Sequence, residues 1–130
     1  MNILQPFGWP RPKGYSNGVS ANGRMVFVSG MVGWDANGTF SHSDLASQVR
    51  QALLNIVAVL SEANAKAEHI VRMTWYVVNK AEYLASAREI GSAYREVIGR
   101  HYPAMTVVQV VALLEDQARV EIEATAVVPE

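Results

Sequence analysis

Apolar residues recur at three- and four-residue spacing in two stretches of the chain, and each stretch predicts an amphipathic helix. Ser41 and Asp44 form a capping pair before the first helix, and Asn64 is a candidate left-handed stop after it. The second helix follows a capping box, Asn79–Glu82, and ends at Gly99. The two apolar stripes are Leu45, Val49, Ala52, Leu53, Ile56, Val59 and Leu60, then Leu84, Ala87, Ile90, Tyr94, Val97 and Ile98.

Shorter runs rich in β-branched residues predict strands between and after these helices. Val19–Ala21 is expected to pair with the first long strand across Asn22-Gly23, because that dipeptide favours the positive φ angles of a tight hairpin turn. The predicted long strands are Arg24–Gly30, His69–Val78, Met105–Leu113 and Ala118–Val128.

This order of elements predicts a two-layer α/β sandwich in which two helices cover one face of a mixed sheet of about six strands. Residues 1–130 are expected to form a single domain. Residues 1–18, rich in Pro, Gly and aromatic side chains, are expected to form an N-terminal arm or loop.

The second face of the predicted sheet needs a cover of its own. In Met105–Leu113, both alternating sets of side chains are largely apolar, as in strands that are buried on both faces. The two predicted helices can cover only one face of the sheet. Association with further copies of the chain is the simplest cover, and a half-solvated sheet is the alternative.

Composition excludes several classes of function. The formal net charge of −1 gives no basic surface for nucleic acid, and the absence of cysteine removes thiol catalysis and thiolate metal sites. His42, His69 and His101 are far apart in the sequence, so no metal site is expected. No apolar run approaches the roughly 20 residues of a membrane-spanning helix, and the predicted location is cytoplasmic.

Two carboxylates in the last strand are candidate chemical groups. Glu121 and Glu123 are two residues apart and therefore project from the same side of the strand. A pair of carboxylates can perform general acid–base catalysis. The alternative is a structural ladder of ion pairs with Arg72 or Arg119 on that face.

Five segments match the successive landmarks of the RidA/YjgF family, which the chain resembles from about residue 14 to residue 127. Each segment is short, but together they occur in the family's order. They are Gly14–Val19, Val26–Gly30, Gln48–Asn55 followed by Val59-Leu60, Pro103-Ala104 and Val120–Ala126.

The resemblance implies a chorismate-mutase-like α/β fold and a homotrimer. In such a trimer the sheets form a central barrel, the helices lie outside and small-molecule ligands bind in clefts between neighbouring subunits. The resemblance also implies enamine/imine deaminase activity: water adds to the C=N carbon of a 2-imino acid and ammonia is released, without a cofactor. The net charge gives no support to the older family labels of endoribonuclease and translation inhibitor.

The chain departs from the family pattern at the residue that grips the substrate carboxylate. After Pro103-Ala104 the resemblance expects Arg, but the residue is Met105. Arg binds a carboxylate through two parallel hydrogen bonds, whereas Met offers an apolar surface. Gln109 also replaces a common Glu, and Gly91 replaces a frequent Asn. These changes predict a rebuilt pocket and a substrate other than the usual 2-imino acids.

Other family residues carry over. The resemblance assigns Glu121 to positioning or activating the attacking water. Tyr15 matches an aromatic residue that lines the cleft, and Ser29-Gly30 match a segment that faces the ligand. Thr106 keeps a hydroxyl beside the substituted position. For Tyr15 and Ser29, packing and turn formation are the alternative roles.

Four more residues are candidates for the cleft. Trp34 and Trp9 are aromatic residues near its expected position, with core packing or anchoring of the arm as alternatives. Arg11 or Arg72 could replace the missing arginine from across a subunit boundary. The sequence therefore predicts a trimer that binds or hydrolyses a small metabolite, and the alternative is a non-catalytic ligand-binding or regulatory trimer.

Overall fold

The computed structural model describes all 130 residues. Along the chain, the elements are β1 (Asn2–Leu4), β2 (Gly18–Ser20), β3 (Arg24–Val32), α1 (Leu45–Glu62), β4 (Ile70–Val77), α2 (Lys80–Ala85), α3 (Ala87–Val97), β5 (Ala104–Gln109) and β6 (Val120–Val128). Four strands form a mixed sheet in the order β3-β6-β4-β5, in which only the β4–β5 pair is parallel. The predicted two-layer α/β arrangement is confirmed. The six strands, however, divide between this sheet and a separate β1–β2 pair.

Helix α1 ends where the sequence predicts, but its N-cap is Asp44, so the predicted capping pair of Ser41 with Asp44 is not formed. The Asp44 carboxylate accepts a hydrogen bond from the Ser47 backbone N–H at 3.0 Å. Hydrogen bonding to Ser47, through its hydroxyl and then its N–H, lowers the pKa of Asp44. Asn64 adopts the left-handed conformation with φ 54°. The predicted stripe is buried against the sheet except for Val59, which is partly exposed. Neither α1 nor any other helix has the length and apolar character needed to cross a membrane.

The second predicted helix is in fact two helices. It breaks at Ser86, whose N–H bonds to the carbonyls of Glu82 and Tyr83 and whose φ and ψ are −98° and 10°. Ser competes with helical hydrogen bonding through its hydroxyl, but it is a weaker stop signal than Gly or Pro. Because of the break, Leu84 points away from the core, while Ile90 and Tyr94 of α3 remain buried in it.

The predicted hairpin across Asn22-Gly23 is wrong. Strand β2 pairs antiparallel with β1 near the N-terminus, and not with β3. A tight hairpin of type I′ needs positive φ at both central residues, and Asn22 does not have it. A Cβ atom at Gly23 would overlap the Val128 carbonyl, so the turn packs against the end of β6.

One face of the four-stranded sheet carries the helices, and the opposite face, called here the outer face, does not. Side chains on the outer face alternate with core residues along β6, as predicted: Val120, Ile122 and Ala124 are buried, and Glu121 and Glu123 are partly exposed. Large apolar side chains on this face are solvent-accessible: Phe27 is 71% exposed, Met25 57% and Val108 41%. This face therefore lacks a cover within the chain.

Candidate functional site

A cleft of about 490 Å³ opens between strand β5, helix α3 and the N-terminal arm. Nine of its 13 lining residues are hydrophobic. Met105 and Val107 of β5 lie on one side, and Gly91 of α3 lies on the other. The remaining lining residues are Lys13, Gly14, Tyr15, Trp75, Tyr83, Ala87, Ile90, Tyr94, Arg95 and Tyr102.

The N-terminal arm is fixed to the start of β5 by backbone contacts. The Ser16 N–H donates to the Pro103 carbonyl at 3.0 Å, and the Ser16 hydroxyl donates to the Tyr102 carbonyl at 2.5 Å. Ser16 also forms an isolated parallel bridge with Ala104. These contacts hold Tyr15 at the cleft with Met105, two of the residues that the sequence singled out.

Aromatic rings form the inner wall of the cleft. Tyr94 and Tyr102 stack with ring centroids 5.7 Å apart, and the Tyr94 hydroxyl donates to the His101 carbonyl at 2.6 Å. Burial raises the pKa of Tyr94, and it also raises the pKa of Tyr83. Both phenols are therefore neutral at neutral pH. Trp75 is only 2% exposed, and its indole N–H has no hydrogen-bond partner.

The charged groups of the cleft are Lys13 on the arm and Arg95 on α3. The Arg95 guanidinium folds back over Gly91, since an added Cβ at Gly91 would lie 3.2 Å from Arg95 Nη1. Asp and Glu do not occur among the lining residues. The cleft thus has an apolar, aromatic interior and a positively charged lining.

A second group of predicted site residues lies on the outer face. Ser29 and Gly30 lie in a register shift between β3 and β6, and bulges of this kind commonly re-aim side chains at functional sites. The Glu121 carboxylate packs against Gly30, where a Cβ would overlap it. Thr106 is exposed on the same face, in line with Thr74 and Glu123 on the neighbouring strands.

The two glutamates have different surroundings. The Tyr76 hydroxyl donates to Glu123 Oε1 at 2.6 Å, and this bond raises the pKa of Tyr76. Arg119 forms its ion pair with Glu82 at 2.8 Å, and Arg72 forms none. The alternative of an ion-pair ladder with Arg72 or Arg119 is therefore wrong, because the Arg119 side chain turns away to Glu82 and to the Ser43 carbonyl.

Within one chain, the predicted residues lie in separate places. Tyr15 and Met105 line the cleft on the helix side of the sheet, whereas Ser29, Gly30 and Glu121 lie at the outer face. Gln109 lies at the end of β5, where its side-chain oxygen accepts a hydrogen bond from the Lys80 N–H at 2.6 Å.

The remaining candidates lie at other positions. The Trp34 ring contacts Phe40 at a centroid distance of 5.8 Å and lines a different depression, with Leu114. Trp9 is exposed on the arm. Arg11 lines a third depression, beside the cleft, with His101. Arg72 lies on the outer face beside Glu123 and Phe27.

The histidines are separate and have structural contacts. His69 Nδ1 accepts from the Lys66 N–H at 2.9 Å, and His101 Nε2 lies 2.6 Å from the Ile70 carbonyl. The structure contains no group of three or more His, Asp or Glu side chains placed to hold a metal ion.

Sequence reasoning missed Arg95, Lys13 and Trp75 as cleft residues. Gly91 and Arg95 are four residues apart, a spacing that places them on one helix face. That spacing was the available signal for Arg95. Trp75 alternates with Thr74 and Tyr76 on β4, but the sequence alone did not reveal which of these side chains meets the cleft.

A mixed sheet with helices on one face is the architecture that the sequence predicted. Residues 10–128 match the model of the endoribonuclease L-PSP family. The chain belongs to this family, the RidA/YjgF family, as its sequence motifs predicted.

Relatives and solved structures are similar to this chain over most of their own length. A RutC family protein of Pyrococcus horikoshii is 31% identical over 90% of this chain and 90% of its own. A 2-iminobutanoate/2-iminopropanoate deaminase of Salmonella typhimurium is 31% identical over 87% of this chain and 86% of its own. The crystal structure of YyfB, a Rid family protein of unknown function from Yersinia pestis, superposes with a TM-score of 0.86 at 32% identity, covering 98% of each chain.

Proposed function

We propose that this protein is an enamine/imine deaminase-like hydrolase that binds a small metabolite in a cleft between the subunits of a homotrimer. The observation that carries the proposal is the cleft at Met105, which is apolar inside and positively charged among its lining residues. Deaminases at 31% identity over most of the chain supply the reaction class. Met105 occupies the position where the resemblance expects Arg, so the two parallel hydrogen bonds to a substrate carboxylate are missing. The small 2-imino acids that those relatives are named for are therefore poor substrates.

Association of three copies would complete this site. Strands β3 and β5 are the two edges of the four-stranded sheet. In a closed ring, the β5 edge of one subunit faces the β3 edge of the next, and closure removes exposed edges. Tyr15 and Met105 of one subunit would then lie near Ser29, Gly30 and Glu121 of its neighbour. The exposed apolar side chains of the outer face would become the interior of the ring.

The proposed reaction is hydrolysis of a C=N bond. Glu121 accepts a proton from a water molecule as the water oxygen bonds to the imine carbon and the C=N electrons move to nitrogen. Glu121 passes that proton to the nitrogen, which gives the carbinolamine. The carboxylate then transfers the hydroxyl proton to the nitrogen as the C–N bond breaks, so that ammonia leaves and the C–O bond becomes a carbonyl. Water is the only co-reactant, so the proposed chemistry uses no cofactor or metal. A carboxylate held beside the glycine backbone of Gly30 is a suitable general base.

Phe27→Asp is expected to convert the trimer into monomers of 14.2 kDa. The substitution replaces a large exposed apolar contact of the outer face by a charge, and association would have to remove that charge from water. Leu84→Asp is the control, because Leu84 is a similarly exposed apolar residue on α2. Sedimentation equilibrium measures the mass of each variant. Wild-type protein that sediments as a monomer at micromolar concentration would contradict the trimer.

Met105→Arg is expected to raise kcat/KM for 2-iminopropanoate by about 10-fold or more, since a charge-assisted hydrogen bond contributes roughly 1.5–3 kcal/mol. Ammonia release from freshly generated 2-imino acids measures this change. Met105→Leu is the control for altered packing, and it should show no gain. The proposal fails on this point when wild type already hydrolyses 2-iminopropanoate as fast as Met105→Arg.

A non-catalytic ligand-binding trimer is the second candidate function. It is favoured by the lining of the cleft within one chain, which contains no Asp or Glu that could act as a general base. Such a protein would keep its ligand affinity in Glu121→Gln, and wild type would release no ammonia above the rate of spontaneous hydrolysis.

A further inference from the structure

The charges that line the Met105 cleft are unbalanced. Lys13 and Arg95 are both cations, and neither forms a salt bridge within the chain. The four tyrosines of the lining add hydroxyl groups, and burial raises the pKa of Tyr94 and of Tyr83, so these two phenols do not supply negative charge at neutral pH. Two unpaired cations beside an apolar interior favour a ligand that carries a negative group on an apolar body.

The position of Arg95 depends on Gly91. The two residues are one helical turn apart on α3, and the guanidinium lies over the glycine because no side chain fills that space. Any Cβ at this position would lie 3.2 Å from Nη1, closer than ordinary van der Waals contact. Gly91 thus provides the space that lets the solvent-exposed Arg95 side chain lie along the helix at the edge of the cleft.

A third unpaired donor lies deeper in the same cleft. The Trp75 indole N–H is buried without a hydrogen-bond partner, which is an uncommon state for a buried polar group. Trp75 and Arg95 both line the cleft, but the indole N–H itself is inaccessible, so the guanidinium is the donor of the two that a ligand can reach. A ligand with an acceptor group at one end of an aromatic or similarly flat body would match this distribution.

We propose that Arg95 binds the carboxylate of the ligand from the helix side of the cleft, and that the ligand carries an aromatic side chain which packs among Tyr94, Tyr102 and Met105. This inference deepens the proposed function and rests on its assignment of the cleft as the ligand site. It names the substrate class as aromatic 2-imino acids or related aromatic carboxylates. A guanidinium binds a carboxylate through paired hydrogen bonds, and stacked rings bind a further ring well.

The test is a pair of stable probes that differ only in charge, 3-phenylpropanoate and 3-phenylpropanamide. Isothermal titration calorimetry on the intact protein is expected to show about 10-fold tighter binding of the carboxylate by wild type. Arg95→Gln should remove that preference while keeping the affinity for the amide. Arg88→Gln is the matched control, because Arg88 lies on the same helix, is exposed and does not line the cleft.

Gly91→Ala provides a second variant that keeps Arg95. The new methyl group should displace the guanidinium and reduce the preference for the carboxylate, and the helix should still form because Ala is the better helix residue. Equal affinity of wild type for the two probes, or a preference that survives in Arg95→Gln, overturns the role of Arg95 and leaves the cleft as the ligand site. Failure of wild type to bind either probe overturns the aromatic substrate class inferred here, whereas the proposed function fails only when wild type releases no ammonia from any 2-imino acid.

Discussion

Glu121→Gln is expected to lower kcat for imine hydrolysis by at least about 100-fold, the usual minimum for loss of a general base. Gln has the shape of Glu and retains its hydrogen-bonding oxygen, but it cannot accept a proton from water at neutral pH. The variant should keep its fold because the side chain is partly exposed and forms no salt bridge within the chain. KM should change little, since the ligand carboxylate is bound elsewhere.

Glu123→Gln is the matched control for that experiment. Glu123 is also a carboxylate on the outer face, two residues along the same strand, but its oxygen accepts a hydrogen bond from Tyr76. Its substitution should leave kcat within about threefold of wild type, because Gln still accepts that hydrogen bond through its carbonyl oxygen. An equal loss in the two variants would show that the negative charge of the face is important, and it would contradict a specific role for Glu121.

Gln48→Leu is expected to destabilise the protein by about 3 kcal/mol, because three hydrogen bonds made by a buried side chain are lost and each contributes roughly 1 kcal/mol. Gln48 is 1% exposed. Its amide nitrogen donates to the carbonyls of His42 and Gln117, both at 3.0 Å, and its oxygen accepts from the Arg119 N–H at 2.8 Å. The side chain thus joins helix α1 to the two loops around it, and Leu can replace none of these bonds.

Gln51→Leu separates this effect from a general preference for Gln on the helix. Gln51 lies one turn further along α1 and bonds only to Asn55, at 2.9 Å, so its replacement should cost less than about 1 kcal/mol. Urea denaturation at one fixed protein concentration measures both variants, because association contributes to apparent stability. Equal midpoints for Gln48→Leu and wild type would contradict the structural role of Gln48.

The fold was predictable where a sequence pattern and its physical cause coincide. The stripe of α1 and the alternation of β6 reflect burial of one face, and the structure buries those residues. The break at Ser86 was missed because the apolar stripe continues through it. The hairpin prediction failed because Gly23 packs on the end of β6, a contact between residues about 100 positions apart that local turn preferences do not contain.

The candidate site was predictable only in part. Motif resemblance indicated Tyr15 and Met105, and the structure brings both to one cleft. Arg95 was missed because its importance depends on the absence of a side chain at Gly91 and on the distance between α3 and β5. The Gln109 side chain instead accepts a hydrogen bond from the Lys80 N–H at the start of α2. No local sequence pattern encodes this tertiary contact. The approach of the β3 and β5 edges is a property of the proposed trimer and lies beyond a single chain.

The most direct measurement is the initial rate of ammonia release by the wild-type protein from the 2-imino acid derived from phenylalanine, compared with that derived from alanine. We expect the aromatic substrate to be hydrolysed well above the spontaneous rate and faster than the small one, with Glu121→Gln at the spontaneous rate for both. Spontaneous rates for both substrates with wild type, together with activity in Met105→Arg, would contradict a hydrolase and show an intact scaffold whose ligand is of another kind.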